Sequence, residues 1–288
     1  QKVPLDLITF SKELINLKSI DEKIFYLLIK DADQEKKDIL FGNLMYKAIE
    51  LHNKNIVEFL LTQDIRYDDI LFKAVNSGDI EIVKIILKYN DKPSFINKVK
   101  SNGTVLHLAT NNNDLEMVKF LLTVPGINPN LVDSNKNTPL TITIFRLKID
   151  IMNAFLDYYG DNIQSQMWQI NRALFVITDD PGILKDKDKF NENKNIYDRN
   201  NVNTIINASS IIKNLLKIKN LDLNCTGNYN TLLTYACQYN DFELVKMLVE
   251  SNTIDVNSYA PADGNTPLLT VIAKSQVETA KLLINCDR

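Results

Sequence analysis

The feature that most constrains this chain is a register of small and apolar residues that recurs along it. A slot filled by Ala48, Ala74, Ala109, Thr143, Ala236 and Val271 is followed nine positions on by Val57, Val83, Val118, Met152, Val245 and Ala280. Twelve and thirteen positions on come apolar pairs such as Leu60-Leu61, Ile86-Leu87 and Phe155-Leu156. A small slot residue suits a place where one helix presses against the next unit, and the apolar spacing is that of helix faces. Such a unit cannot bury its apolar face alone, so neighbouring copies must stack.

The sharpest copies add a start signal. Asn137-Thr138-Pro139-Leu140 and Asn265-Thr266-Pro267-Leu268 put Thr at an N-cap, where its hydroxyl can accept a backbone N–H, and Pro at the first helical position, where no N–H is missed. Residues 101–122 carry the fullest version: Thr104, Leu106, His107 and Ala109 fit T-P-L-H-x-A with Val105 in the Pro slot, and Val118, Leu121 and Leu122 follow. This resembles an ankyrin repeat.

The resemblance covers residues 44–284. Slot spacings of 26, 35, 34 and 35 residues compare with roughly 33 for the family. The short step, with its connector at residues 62–69, reads as a unit lacking its hairpin finger. The 63-residue gap between Thr143 and Ala236 reads as one more unit plus an insertion, with Ala173 in MWQINRALFVI as first helix and IIKNLL at 211–216 ending the second. The implied fold is all-α: an ankyrin-repeat solenoid of about seven helix-pair units, with short β-hairpin-like connectors and an N-terminal helical cap. The expected organisation is a cap at residues 1–41, where Leu7, Phe10, Leu14 and Leu17 keep helical periodicity, then an array at 42–288. A charged insertion interrupts the array at about 179–202, with six acidic and five basic residues and too few apolar ones to order itself.

No copy keeps the whole family motif. Ile96-Asn97, Asn128-Pro129-Asn130, Asp222-Leu223-Asn224 and Asp255-Val256-Asn257 fill the D-x-N place before the finger, where Asx side chains tie off local backbone N–H groups. Gly78 stands in an inter-helix turn, and His52 occupies the equivalent slot. The chain lacks an initiator Met and stops where another repeat would begin, so a monomeric fragment of a longer array is expected, with Leu282, Leu283 and Ile284 partly uncovered.

Composition narrows the function classes. A net charge of −3 gives no bulk positive field for nucleic acid or anionic lipid, so neither is expected as a partner. No apolar run approaches the roughly 18 residues that a bilayer span needs, so no membrane insertion is expected. Three cysteines, Cys225, Cys237 and Cys286, without a CxxC spacing indicate neither a disulfide framework nor a zinc site, and suit a cytoplasmic location. Sequons at Asn102, Asn207 and Asn224 arise by chance in so Asn-rich a chain.

Nothing amounts to an active site, and no cofactor or metal is expected. With two His, a His-based site has little raw material, and the resemblance gives His107 a structural role, bridging hydrogen bonds in the turn. Cys237 reads as a small buried hydrophobe beside Ala236. There is no G-x-S-x-G, no phosphate-binding Gly-rich loop, and the acidic pairs at 179–188 are interleaved with Lys. Trp168, Phe175, Tyr158 and Tyr159 read as core packing, with a recognition pocket as the alternative.

The family implies a non-catalytic protein-interaction scaffold that binds an unknown protein partner on the concave face of the stack. In ankyrin repeats the positions free to vary are on the fingers and two and three beyond the slot. Here that maps to Lys100, Ser101, Ser134, Asn135, Asn228, Asn230, Ala262 and Asp263 on fingers, and to Asn111, Asn112, Phe145, Arg146, Gln238, Tyr239 and Lys274 on first helices. The competing readings are a targeting arm of a larger enzyme or effector, whose catalytic part lies outside this chain or within the atypical segments 1–41 and 157–202, and a purely structural spacer.

Overall fold

The computed structural model describes residues 34–63, 67, 69–178, 202–227, 230–251 and 253–286. The expected cap up to residue 33, the insertion from 179 to 201 and Asn228 lie outside the described residues. The chain divides into two compact units, Gln1–Lys136 and Asn137–Arg288.

In the first unit three helix pairs are described: Gln34–Glu50 with Lys54–Leu61, Ile70–Ser77 with Ile80–Tyr89, and Val105–Asn111 with Leu115–Thr123. First helices pack on first helices, and Lys54–Leu61 packs on Ile80–Tyr89. The leading helix starts at Gln34, ahead of residue 44 where the repeat register begins, because Gln, Glu and Lys are strong helix formers and carry no break. A short helix, Pro93–Ile96, opens the next connector.

In the second unit Pro139–Phe145 pairs with Ile149–Tyr159, Leu232–Gln238 with Phe242–Glu250, and Pro267–Ala273 with Val277–Ile284. Between them, Met167–Thr178 packs as a first helix on Pro139–Phe145 and Leu232–Gln238, and Val202–Leu215 packs as a second helix on Ile149–Tyr159 and Phe242–Glu250. The unit expected around Ala173 is therefore present, with Ala173 and Ile211 fully buried. A 3-10 segment, Gly160–Gln166, feeds its first helix in place of a finger.

The register set by the slot is the core. Ala48, Ala74, Ala109, Thr143, Ala236 and Val271 are buried, as are Val57, Val83, Val118, Met152 and Val245 nine positions on. Thr138 and Thr266 accept the N–H groups of Thr141 and Leu269 at 3.3 Å each, with Pro behind them. Thr104 instead donates its own N–H to Nδ1 of buried His107 at 3.0 Å. Gly103 makes room for that ring: a Cβ there would meet the imidazole at 2.4 Å.

Six of the described inter-helix turns share one backbone twist. Four positions beyond the slot, His52, Gly78, Asn113, Leu147, Asn240 and Ser275 all take left-handed φ of 55–76°. The next N–H turns back to the slot carbonyl in five of them: Asn53 to Ala48, Asp114 to Ala109, Lys148 to Thr143, Asp241 to Ala236 and Gln276 to Val271, at 2.8–3.1 Å. That is the Schellman closure of a helix C-terminus. The residue after the left-handed one also caps the second helix, through the side chains of Asn53, Asp79, Asp114 and Asp241.

The fingers are tight turns and isolated bridges. Lys100 and Gly103 exchange both backbone hydrogen bonds at 2.9 Å, Thr226 bridges Thr231, and Ala260 donates to Asn265 at 2.8 Å. Asn97 and Asn224 do more than tie off local backbone: each reaches across to the following connector. At the last helix Leu283 is buried, Leu282 half-buried and Ile284 exposed, so the expected uncovering does not extend to Leu283.

Candidate partner-binding surface

The Schellman turn decides which side chains of a first helix stay available. Positions two and three beyond the slot fall on the helix's last residue and its C-cap, at the edge of the packed face, so their side chains range from half-buried to exposed.

In the first unit this puts Asn112 on the surface, with Asn111 half-buried. Asn112 donates to Asn76 Oδ1 at 3.3 Å, joining the tips of two neighbouring first helices. Asn76 obeys the same positional rule, two beyond Ala74, and sequence reasoning passed it over. On the fingers Ser101, Ser134 and Asn135 are exposed, and Asn135 is held by its N–H donating to Asp133 Oδ1 at 2.8 Å. Lys100 is committed inside the unit. Its ammonium lies 2.6 Å from Asp69 Oδ1 and 4.5 Å over the Phe72 ring, and it is the leading cause that holds the Asp69 carboxyl below the usual carboxylate value.

In the second unit Phe145, Arg146 and Tyr239 are half-buried, while Gln238 and Lys274 are exposed. The Arg172 guanidinium stands 5.9 Å from the Phe145 ring and donates to Asn137 Oδ1 at 3.0 Å, so an arginine braces the aromatic from the next first helix. Tyr239 leans on Tyr235, with ring centroids 4.8 Å apart. Arg172 and Tyr235 were not singled out in the sequence; Arg172 sits one before the slot, the position where earlier copies carry Leu108 or Ile142. Among finger residues Asp263 is exposed and accepts the Asn265 N–H at 3.0 Å, which with the Asn265 side chain draws its carboxyl down. Asn230 accepts the Gly227 N–H at 2.9 Å.

The aromatic concentration is not uniformly core. Tyr159 is buried, but Trp168 is 66% exposed and Tyr158 is exposed as well, which corrects the packing expected of them. Their positions on helices that bury Ile170, Ala173 and Phe155 turn both rings outward.

Chemical groups elsewhere are quiet. Burial pushes the Cys237 thiol up to about 12, and burial with the nearby Asp222 charge does the same to Cys225, so neither forms a thiolate nucleophile near neutral pH. Among the described residues no group of three His, Cys, Asp or Glu is placed to hold a metal ion, and no helix is long and apolar enough to cross a membrane.

Comparison with known proteins places this arrangement. A family model described as ankyrin repeats, in three copies, matches residues 71–167 and 203–288. A protein named NAD-dependent deacetylase sir2B from Dictyostelium discoideum is 24% identical over 225 residues, which are 75% of this chain and 25% of that protein. A putative ankyrin repeat protein from Rickettsia bellii is 31% identical over 155 residues, covering 48% of this chain and 60% of its own length. The chain thus spans a quarter of the first relative. Among solved structures, the ankyrin repeat domain of Bcl-3 superposes with a TM-score of 0.56 at 15% identity, over 82% of this chain and 97% of that one, a likeness of fold.

Proposed function

The chain belongs to the ankyrin-repeat family, and from that membership we propose that it is a non-catalytic scaffold binding a protein partner on the concave face of its stack. Ankyrin repeats mediate protein–protein interaction. The observation that carries the reading is the pattern at the first-helix ends of the second unit. Phe145, Arg146 and Tyr239 are half-buried at positions the core register leaves out, with Arg172 set against the Phe145 ring and Tyr235 against the Tyr239 ring. Aromatic and arginine side chains that lose little conformational freedom are what interface hot spots are made of. Within the second unit Gln238, Lys274, Asn230 and Asp263 add adaptable polar contacts, and in the first unit Asn112 with Asn76, Ser101, Ser134 and Asn135 offer a polar set of their own. Three free thiols, of which Cys237 is buried and Cys225 and Cys286 are half-buried, suit a reducing compartment, and we place the protein in the cytoplasm.

A second reading is favoured by one comparison. The relative named as a deacetylase is four times the length this chain spans, and the repeats would then be the targeting arm of a larger enzyme.

The test is capture of a partner from lysate by the full chain, set against the Arg146→Ala, Tyr239→Ala double variant. Proteins retained by the first and lost by the second support the scaffold. Equal retention by both, or none by either, argues against this surface.

A further inference from the structure

The second unit sorts its charges between two helix layers. Its first helices Pro139–Phe145, Met167–Thr178, Leu232–Gln238 and Pro267–Ala273, taken with the C-caps Arg146, Tyr239 and Lys274, hold Arg146, Arg172 and Lys274 and no Asp or Glu. These four helices pack side by side. The second helices Ile149–Tyr159, Phe242–Glu250 and Val277–Ile284 instead hold Asp150, Asp157, Glu243, Glu250 and Glu278, all exposed. In a chain of net charge −3 the first-helix layer is therefore positive against the average.

Cations at a helix C-terminus complement its dipole, which accounts for Arg146 and Lys274 as caps. It does not account for Arg172, in the middle of Met167–Thr178. That guanidinium reaches the helix that Arg146 caps, 3.0 Å from Asn137 Oδ1 and 5.9 Å from the Phe145 ring centroid. Carboxylates on this unit's fingers are committed to their own turns: Asp222, Asp255 and Asp263 each accept the backbone N–H two residues on, at 2.9–3.0 Å. Two half-buried arginines beside aromatic rings suit a carboxylate that arrives with an apolar neighbour, because the planar guanidinium pairs with it through two parallel hydrogen bonds.

Resting on the scaffold reading, we propose that the partner segment recognised at these first-helix ends is acidic. Its Asp or Glu side chains seat on Arg146, Arg172 and Lys274, and an adjoining apolar side chain packs against Phe145 and Tyr239. Charge complementarity of this kind selects the partner and speeds its encounter.

The test selects binders to the full chain, at low ionic strength, from a library of random short peptides displayed on phage. Selected peptides are enriched in Asp and Glu beside an aromatic or aliphatic residue. Arg146→Gln with Lys274→Gln weakens a selected peptide by about tenfold or more, and added salt weakens it for the parent chain. Arg146→Glu with Lys274→Glu rejects that peptide and accepts its counterpart with Lys at each Asp and Glu. Melting curves accompany both variants, and the glutamine pair supplies the measurement if glutamates at two helix ends unfold the protein. Peptides that Tyr239→Ala releases but that lack acidic enrichment, or that the glutamine pair binds as tightly as the parent does, overturn the acidic assignment and leave the scaffold reading standing. Peptides indifferent to Tyr239→Ala and to the glutamine pair overturn both, as does a selection that yields no binder.

Discussion

Asn97 clasps the backbone at Asn128 across two connectors: its Oδ1 accepts the Asn128 N–H at 2.8 Å while its Nδ2 donates to the Gly126 carbonyl at 2.8 Å. Asn224 repeats the clasp in the second unit, with Asp255 N–H at 2.7 Å and the Thr253 carbonyl at 2.8 Å. An amide side chain supplies the acceptor and the donor on two neighbouring atoms, which is what this two-point clasp uses. Both clasps are exposed, so Asn97→Ala costs about 1 kcal/mol rather than the sum of two full hydrogen bonds. Urea unfolding checks this, and an unmoved midpoint would mean that water replaces the clasp without loss.

Leu121 is fully buried twelve positions beyond the Ala109 slot. Its truncation to Ala is expected to cost about 2–5 kcal/mol, the range for core leucines that leave a cavity. Because units are held by their neighbours, amide exchange should also quicken in the Ile80–Tyr89 and Val105–Asn111 helices. An unchanged melting temperature would remove Leu121 from the core.

Among the described residues Leu147 is the one large aliphatic side chain at the left-handed turn position, with φ of 55°. Asn113 and Asn240 fill the same place at φ of 57° and 55°, and asparagine enters this region at lower cost. Leu147→Asn should therefore raise stability by about 0.5–1 kcal/mol, after the loss of a half-buried side chain is set against a left-handed penalty of roughly 1–2 kcal/mol. A lower melting temperature would show that packing of Leu147 outweighs its backbone strain.

The helix pairs were legible in the sequence because their signal is local. Slot, nine-step and twelve-step residues lie within one unit, and every complete set from Ala48 to Val245 is buried as the register demands. Even the pair around Ala173, interrupted by a long charged stretch, kept enough of the register to be found. What stayed hidden depends on partners in other repeats. The Asn97 clasp joins residues 31 apart, and Arg172 meets Asn137 across 35; neither distance has a motif. Trp168 and Tyr158 were misread because an aromatic concentration does not say which face of a helix each ring takes. For the binding surface the sequence supplied positions through the family's rule, but not the commitment of Lys100 to Asp69 and Phe72, which draws it out of the available set.

Asp241 links two second helices. It caps Phe242–Glu250 by accepting the Leu244 N–H at 3.0 Å, and accepts hydrogen bonds from Ser209 Oγ and, at 2.9 Å, from Lys213 Nζ of the Val202–Leu215 helix. Burial opposes its charge, but those three donors outweigh it and hold the carboxyl below the usual carboxylate value. The folded state thus favours the ionised form, so the contribution is full above the ordinary carboxylate range and is lost as pH falls through the lowered folded value. Asp241→Asn keeps the cap acceptor and removes the charge, and should cost about 1 kcal/mol at neutral pH. The gap in melting temperature between the two proteins should close on acidification below pH of about 4. A gap constant across that range would mean that the charge is not what binds the helices.

The most direct measurement of the scaffold reading is the affinity of the captured partner for the full chain and for Arg146→Ala and Tyr239→Ala singly, by calorimetric titration, with melting curves of each variant alongside. The account predicts that each substitution weakens binding by about 1–3 kcal/mol, a typical hot-spot loss, while the melting temperature stays close to that of the parent. Undiminished affinity in both variants, with binding lost instead on substituting Trp168 or Tyr158, would contradict it and move the site away from the first-helix ends.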